Sequence, residues 1–145
     1  MIEFNRMNRE DIDKVIHIEK CCFAIPWTKS MFLEELENRL AHYTVVKYLG
    51  LIVGYAGMWF VCDEAHITNI AMDPKYQRKG LGRNLLSFII DMAQNKGILK
   101  MTLEVRCSNL AAIGLYTQFH FVKCGIRKNY YEDNHEDALI MWRDL

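Results

Sequence analysis

Asn69-Ile70-Ala71-Met72-Asp73-Pro74-Lys75-Tyr76-Gln77-Arg78-Lys79-Gly80-Leu81-Gly82-Arg83 is the stretch on which the fold turns. Upstream, Ala65 to Met72 reads as a strand that Asp73-Pro74 closes, and downstream Leu85, Leu86, Ile89, Ile90 and Ala93 recur at the 3.6-residue spacing of an amphipathic helix that stops near Gly97. A further strand, Lys100 to Arg106, follows. Strand, helix and strand in that order predict a parallel crossover unit, with the glycine-bearing basic loop at the point where the first strand hands over to the helix.

On the N-terminal side of this unit, Tyr43-Thr44-Val45-Val46 and Leu51 to Phe60 flank Gly50 and predict a β-hairpin. Before it, Asn8 is positioned to cap a first helix carrying Ile12, Val15, Ile16 and Glu19 on one face and ending near Cys22; Pro26 breaks the pattern and Thr28 caps a second helix with Phe32 and Leu36. Phe23 and Trp27 are read as exposed aromatics in the intervening loop. After Lys100 to Arg106, Ser108-Asn109 caps a helix bearing Ala112, Leu115, Tyr116 and Phe119, and strands are predicted at Phe121 to Arg127 and Ala138 to Trp142. The order α-α-β-β-β-α-β-α-β-β indicates an α+β fold with a mixed sheet.

The chain has 145 residues, 51% hydrophobic and 25% charged, which suits one domain spanning 1–145 with a core of its own. Eighteen basic residues balance eighteen acidic ones, so the broad cationic footprint of a nucleic-acid binder is absent and direct nucleic-acid binding is not expected. The N terminus shows no secretory pattern and no apolar run approaches the ~20 residues that cross a bilayer, so a cytoplasmic protein without membrane contact is expected. Five cysteines without a C-x-x-C pair suggest reduced thiols, most of them filling the core, and five scattered histidines match no zinc spacing, so no metal is expected.

Chemistry concentrates in the loop. Lys75, Arg78, Lys79 and Arg83 stand with no acid among them, Gly80 and Gly82 let backbone approach a ligand closely, and the start of the following helix offers free N–H groups and a positive dipole end to a pyrophosphate. A solvated turn is the competing reading of the bare motif. The spacing is neither that of a Walker loop nor that of a dinucleotide fold.

With its flanking strand and helix, Gln77-Arg78-Lys79-Gly80-Leu81-Gly82 resembles the Q/R-x-x-G-x-G/A signature of the GNAT superfamily of acetyl-CoA-dependent N-acetyltransferases. Phe23 to Thr28, Asp63 to Ala71, Leu103 to Asn109, Leu115-Tyr116 and Arg127 to Tyr131 extend the resemblance over nearly the whole chain, and are similar to the RimI-type branch that acetylates the N-terminal alanine of a small-subunit ribosomal protein. The resemblance implies a three-layer fold with a central mixed, mostly antiparallel sheet flanked by helices. It further implies a cytoplasmic transferase that modifies a ribosomal protein's N-terminal tail. Ile70, Ala71 and Met72 would pair through their backbone with the pantetheine arm of acetyl-CoA; Arg78, Lys79, Gly80, Leu81, Gly82 and Arg83 would hold its pyrophosphate, and Asn109 would also touch the cofactor. Two departures stand out: His120 occupies the place of a family glycine, which suggests a rebuilt turn, and Met72 replaces a smaller residue.

In Met101-Thr102-Leu103-Glu104-Val105-Arg106 the apolar side chains alternate with polar ones, so Glu104 points away from the core face. Taken singly it reads as an exposed strand glutamate, and Tyr116 as a core tyrosine; the resemblance makes them general base and general acid. An α-amine with pKa near ~8 is more easily deprotonated than a lysine near ~10.4, and a phenol holds its proton at neutral pH ready for a departing thiolate. A covalent route through Cys107 is set aside because no histidine near it in sequence would activate the thiol. Pro26, Trp27, Tyr130 and Tyr131 resemble the family's peptide-facing loops; local packing is the competing account of all four, and for Trp27 nearly as strong. The acidic run Glu132 to Asp137 suggests attraction for a basic protein tail, or a merely solvated turn. Lysine side chains, polyamines or aminoglycosides remain alternative acceptors, and a non-catalytic acyl-CoA-binding module is the alternative from outside enzymology.

Overall fold

The computed structural model describes residues 1–145. Seven strands form one sheet: β1 (Ile2–Arg6), β2 (Ala41–Tyr48), β3 (Leu51–Val61), β4 (Glu64–Met72), β5 (Lys100–Arg106), β6 (Val122–Arg127) and β7 (Ala138–Asp144). They lie in the order β1-β2-β3-β4-β5-β7-β6, and every neighbouring pair is antiparallel except β4 with β5. Four helices flank the sheet: α1 (Ile12–Cys22), α2 (Lys29–Glu37), α3 (Leu81–Asn95) and α4 (Leu110–Gln118). The expected α+β mixed sheet is therefore present, with β1 as an addition at the front of the predicted order. Five residues with only Ile2 and Phe4 turned inward are too short a period-2 signal to register; β1 is held by its ladder to Tyr48 through Thr44 and by Phe4 stacking on Phe88 of α3 at 4.4 Å.

Asn8 caps as expected, through a reciprocal capping box with Asp11, but the cap opens a short 3-10 turn at Arg9–Asp11 before α1 begins. Two cores result from the layering. One lies under α1 and α2, where Val15, Ile18 and Phe32 meet Tyr43, Val45, Tyr55 and Ala71; the other lies under α3 and α4, where Leu85, Leu86 and Ile89 meet Val46, Val53, Met101, Leu103 and Met141. Burial on both faces explains why the middle of β3 reads as a continuous apolar run. The cysteines do not fill these cores: Cys21, Cys62 and Cys124 are exposed and Cys22 and Cys107 half-buried. Cys21 and Cys22 end α1, Cys62 and Cys107 lie in the turns after β3 and β5, and Cys124 is on the edge strand β6, so none falls on the buried face of an element.

A polar side chain interrupts the first core. Glu19 falls on the apolar stripe of α1 and is 2% exposed, with Oε1 accepting from the Tyr55 hydroxyl and Oε2 from the Trp27 N–H at 2.8 Å. Burial pushes the Glu19 carboxyl up and its two donors pull it back. Glu19 thus ties the α1–α2 loop to the sheet, and Trp27 settles over Phe32 with ring centroids 5.3 Å apart. Of the two loop aromatics expected to be exposed, only Phe23 is; Trp27 is half-buried because this tether folds it back.

The turn after α4 keeps the geometry that its histidine was expected to disturb. His120 takes φ +71° itself, closing the helix through the bonds His120 N–H to Thr117 O and Phe121 N–H to Tyr116 O. The left-handed conformation costs a non-glycine residue roughly 1–2 kcal/mol, a strain that histidine tolerates better than branched residues. His120→Gly is therefore expected to stabilise the protein by roughly 0.5–1 kcal/mol net of glycine's greater unfolded freedom, visible as a raised denaturant midpoint at unchanged slope. Glu19→Ala strands two buried donors and is expected to destabilise by about 2–4 kcal/mol in the same measurement, whereas Glu19→Gln, which retains an acceptor, costs less.

Candidate functional site

The only parallel contact in the sheet is also its shortest. β4 and β5 pair solely at Glu64 to His66 with Lys100 to Thr102, and beyond this point the two strands part. Thr68 is the extra residue of a bulge, since Gly57 faces Asn69 while Met58 faces Ile67, and it bends β4 just after it leaves β5. The Tyr43 and Thr68 hydroxyls bond at 3.0 Å, and Thr68 Oγ1 donates to Asn69 Oδ1 at 2.9 Å, fixing the bend from the α1–α2 side.

A wedge opens between Asn69–Met72 and Leu103–Arg106, and its β4 wall carries main-chain groups. The Asp73 N–H donates to Val53 O at 2.7 Å, so by strand alternation Ala71 faces β3 with Asp73 while Ile70 and Met72 turn their groups to the wedge. The Met72 carbonyl is engaged by Cys22 Sγ and by Gln77 Nε2, each at 3.2 Å, which leaves Ile70 without a strand partner on that side. The bulk of Met72 is accommodated because the residue opposite is Gly54, where any Cβ would overlap the Met72 thioether.

At the mouth of the wedge, on the α3 side, lies the basic loop. Arg78 has φ +64° and Gly80 φ +78°, so the backbone reverses twice before α3. Gly80 is the N-cap and supplies no side chain to the first-turn N–H groups of Leu81, Gly82 and Arg83. Those donors, with the exposed Arg78 and Lys79 beside them, form a cradle suited to a phosphate. Gly80 is needed for its conformation; at Gly82 a Cβ would meet only Met72 Cγ at 3.7 Å, so its worth lies in open space above the helix start. Arg83 is turned toward α4, bonded to Gln118 Oε1 and set 5.3 Å over the Phe119 ring. Asn109 caps α4, its Oδ1 accepting from Ala112 N–H at 3.2 Å.

Glu104 and Tyr116 approach the wedge from opposite faces of the sheet. Met101, Leu103 and Val105 sink into the core under α3 and α4, which places Thr102, Glu104 and Arg106 on the α1–α2 face. The Glu104 side chain is 31% exposed and its Oε2 lies 3.4 Å from Arg127 Nε. Tyr116 belongs to the α3–α4 core, in an edge contact with Phe121 at 5.8 Å. Burial, and secondarily the Tyr131 phenol nearby, pushes its pKa well above the ordinary tyrosine value, so it keeps its proton across the physiological range.

Two loops border the wedge on the Glu104 face. The first carries the half-buried Pro26 and Trp27 and is held by Glu19; the second joins β6 to β7 and carries Tyr130 and Tyr131 in an edge-to-face pair at 5.1 Å. Tyr130 stands beside Glu104, and burial together with that carboxylate pushes its phenol up. The acidic run expected to attract a basic tail is largely turned inward: Asp133 and Glu136 bind Arg106, Glu136 also accepts from Ser108 N–H at 2.7 Å, and Asp137 from Asn129 N–H at 2.9 Å. Glu19 and Arg106 are the residues that sequence reasoning passed over. A carboxylate on the apolar stripe of α1 was a visible signal for the first. Nothing local marked the second, whose partners lie 27 to 30 residues along the chain. No three His, Cys, Asp or Glu side chains converge as a metal site, and no helix is long and apolar enough to cross a membrane.

Comparison with known proteins agrees with this geometry. Residues 12–121 match the acetyltransferase (GNAT) family. The chain is 39% identical over 143 residues to the [ribosomal protein bS18]-alanine N-acetyltransferase of Escherichia coli (strain K12), covering 97% of this chain and 96% of that one. A Bacillus subtilis (strain 168) protein to which the same activity is provisionally assigned is 50% identical over 137 residues, covering 94% and 91%. The crystal structure of the ribosomal-protein-S18-alanine N-acetyltransferase from Escherichia coli superposes with TM-score 0.93 at 38% identity over 99% of this chain and 94% of that one. A glycine-bearing basic loop, parted strands and near-complete sequence coverage coincide in one chain, which belongs to the acetyltransferase (GNAT) family.

Proposed function

We propose that the chain transfers the acetyl group of acetyl-CoA to the N-terminal alanine of a small-subunit ribosomal protein, by direct attack of the α-amine. The observation that carries the reading is the wedge between β4 and β5, which has a cationic cradle and a buried phenol on one side and a carboxylate between two aromatic loops on the other. Such a passage lets two substrates meet from opposite faces. The activity named for relatives at 39% identity over 97% of the chain supports the acceptor.

The residues fit the co-substrate. Arg78, Lys79, Gly80, Leu81, Gly82 and Arg83 would hold its pyrophosphate; Ile70 and the Met72 N–H would pair through the main chain with its pantetheine arm, with Ala71, whose own N–H and C=O face β3, between them, and Asn109 would contact it from the start of α4. When bound, it supplies a thioester-activated acetyl group. Pro26, Trp27, Tyr130 and Tyr131 would receive the acceptor's first residues between aromatic walls. Glu104 takes the proton from the amine, directly or through a water, as the nitrogen attacks the acetyl carbonyl. Tyr116 returns a proton to the departing sulfur. Its phenol is protonated at every pH at which the amine is neutral, which is the state from which a proton donor must start.

A direct test offers two peptides that copy the ribosomal protein's tail, one with a free N-terminal alanine and an internal lysine, the other blocked at its terminus. Mass spectrometry should find acetyl only on the first; comparable modification of lysine in the second overturns the α-amine reading. Glu104→Gln and Tyr116→Phe should each lower kcat by about 10²- to 10⁴-fold while acetyl-CoA affinity by calorimetry stays unchanged, and a wild-type kcat in either variant removes that residue from the mechanism.

A further inference from the structure

The segment between β6 and β7 carries Tyr130 and Tyr131 to the site, yet from Lys128 to Asp137 it contains no strand or helix to hold it there. We propose that Arg106 is the positioning residue that holds this segment over the acceptor side of the wedge. The inference deepens the acceptor reading given above and rests on it for the meaning of the site, though not for the contact itself.

Arg106 is the last residue of β5, two positions after Glu104 and on the same face. Its guanidinium meets three side chains of the segment at once. Nη2 binds both carboxylate oxygens of Asp133 at 3.0 Å, while Nη1 reaches Asn134 Oδ1 at 3.2 Å and Glu136 Oε1 at 3.4 Å. Its plane also lies over the Tyr131 ring, with Cζ 4.0 Å from the centroid. The second Glu136 oxygen takes the Ser108 N–H, and the Glu136 carbonyl takes the Tyr131 N–H at 3.2 Å. Cys107 N–H closes the base by donating to Asp137 O at 3.1 Å. The strand end Arg106-Cys107-Ser108 thus grips the segment from Tyr131 to Asp137 with both side chain and backbone.

An exposed surface ion pair would fix nothing, because solvent screens it and the two side chains lose freedom in forming it. Here the Arg106 side chain is 28% exposed, and its partners Asp133 and Glu136 are 25% and 18% exposed. The arrangement uses what is particular to arginine: a planar fork that donates to several acceptors and presents a flat face to an aromatic ring. Lysine keeps the charge but can supply neither. Because Tyr131 neighbours the phenol of Tyr116 and Tyr130 neighbours Glu104, releasing the fork would let both aromatic walls of the acceptor entrance move.

The experiment compares Arg106→Lys, Arg106→Gln and Asp133→Asn with the unaltered protein in three readouts: KM and kcat for the free-alanine peptide at saturating acetyl-CoA, acetyl-CoA affinity by calorimetry, and the rate of trypsin cleavage after Arg127 and Lys128 with no substrate present. Loss of charged hydrogen bonds should raise the peptide KM about 10- to 100-fold, change kcat by less than the change in KM, leave acetyl-CoA affinity unaltered, and accelerate cleavage. A wild-type KM and cleavage rate in Arg106→Lys would overturn the proposal, as would a fall in acetyl-CoA affinity matching the rise in peptide KM, which would mark a general loss of structure. If Arg106→Gln does not fold, the other two variants decide. Should the unaltered protein fail to acetylate the peptide, the acceptor reading fails, and the cleavage rates still establish whether Arg106 holds the segment.

Discussion

The parting of β4 from β5 is the constraint on which the rest of the molecule depends. Parallel strands cannot be joined by a tight turn; their connection must travel out and back, and here that excursion is the basic loop and α3. Three paired residues suffice to hold β5 in the sheet because β7 satisfies its other edge along its whole length. Freed of a partner, the C-terminal half of β4 can offer main-chain groups to a ligand, as an edge strand does, while remaining inside a sheet whose two faces are covered. The bulge at Thr68 makes the separation permanent by bending β4 at the place where pairing ends.

Placing the opening through the sheet, rather than on its surface, explains the distribution of charge and burial around it. Cation and free N–H groups gather on the α3 side, where the helix start points its positive end at the mouth. The carboxylate and the two aromatic loops gather on the α1–α2 side. Glu104 and Tyr116 therefore sit in different environments, the carboxylate partly solvated beside Arg127 and the phenol deep in an apolar core, where burial holds its proton on.

The two loops that border the wedge on the Glu104 side carry no regular structure, and each is secured by one side chain rooted in a regular element. Glu19 in α1 holds the first by accepting the Trp27 N–H, and Arg106 in β5 holds the second through Asp133, Asn134 and Glu136. Side-chain tethers of this kind keep aromatic walls in place without adding strands that would fill the passage. They also draw in the acidic residues of the β6–β7 segment, so a run that looks like a solvated negative patch along the chain is mostly spent on internal bonds.

Periodicity within single elements was enough to read α3, β5 and the hairpin around Gly50, because those signals are local: apolar residues at 3.6 or 2.0 spacing, Gly50 between two runs, Asp73-Pro74 at a strand end. The basic loop was legible for the same reason, since cradle, strand and helix are contiguous in sequence. The alternation in Met101 to Arg106 likewise assigned Glu104 to the face away from the core. Tertiary structure decided what depends on distant partners. β1 exists because Thr44 to Tyr48 present a ladder to it, Trp27 is folded inward because Glu19 receives its N–H, and Arg106 acquires a role only when residues 27 to 30 positions later return to it. His120 shows the limit most plainly: its side chain argues against a left-handed turn, and the bonds that close α4 impose one, because packing of Tyr116 against Phe121 outweighs the local preference of a single residue.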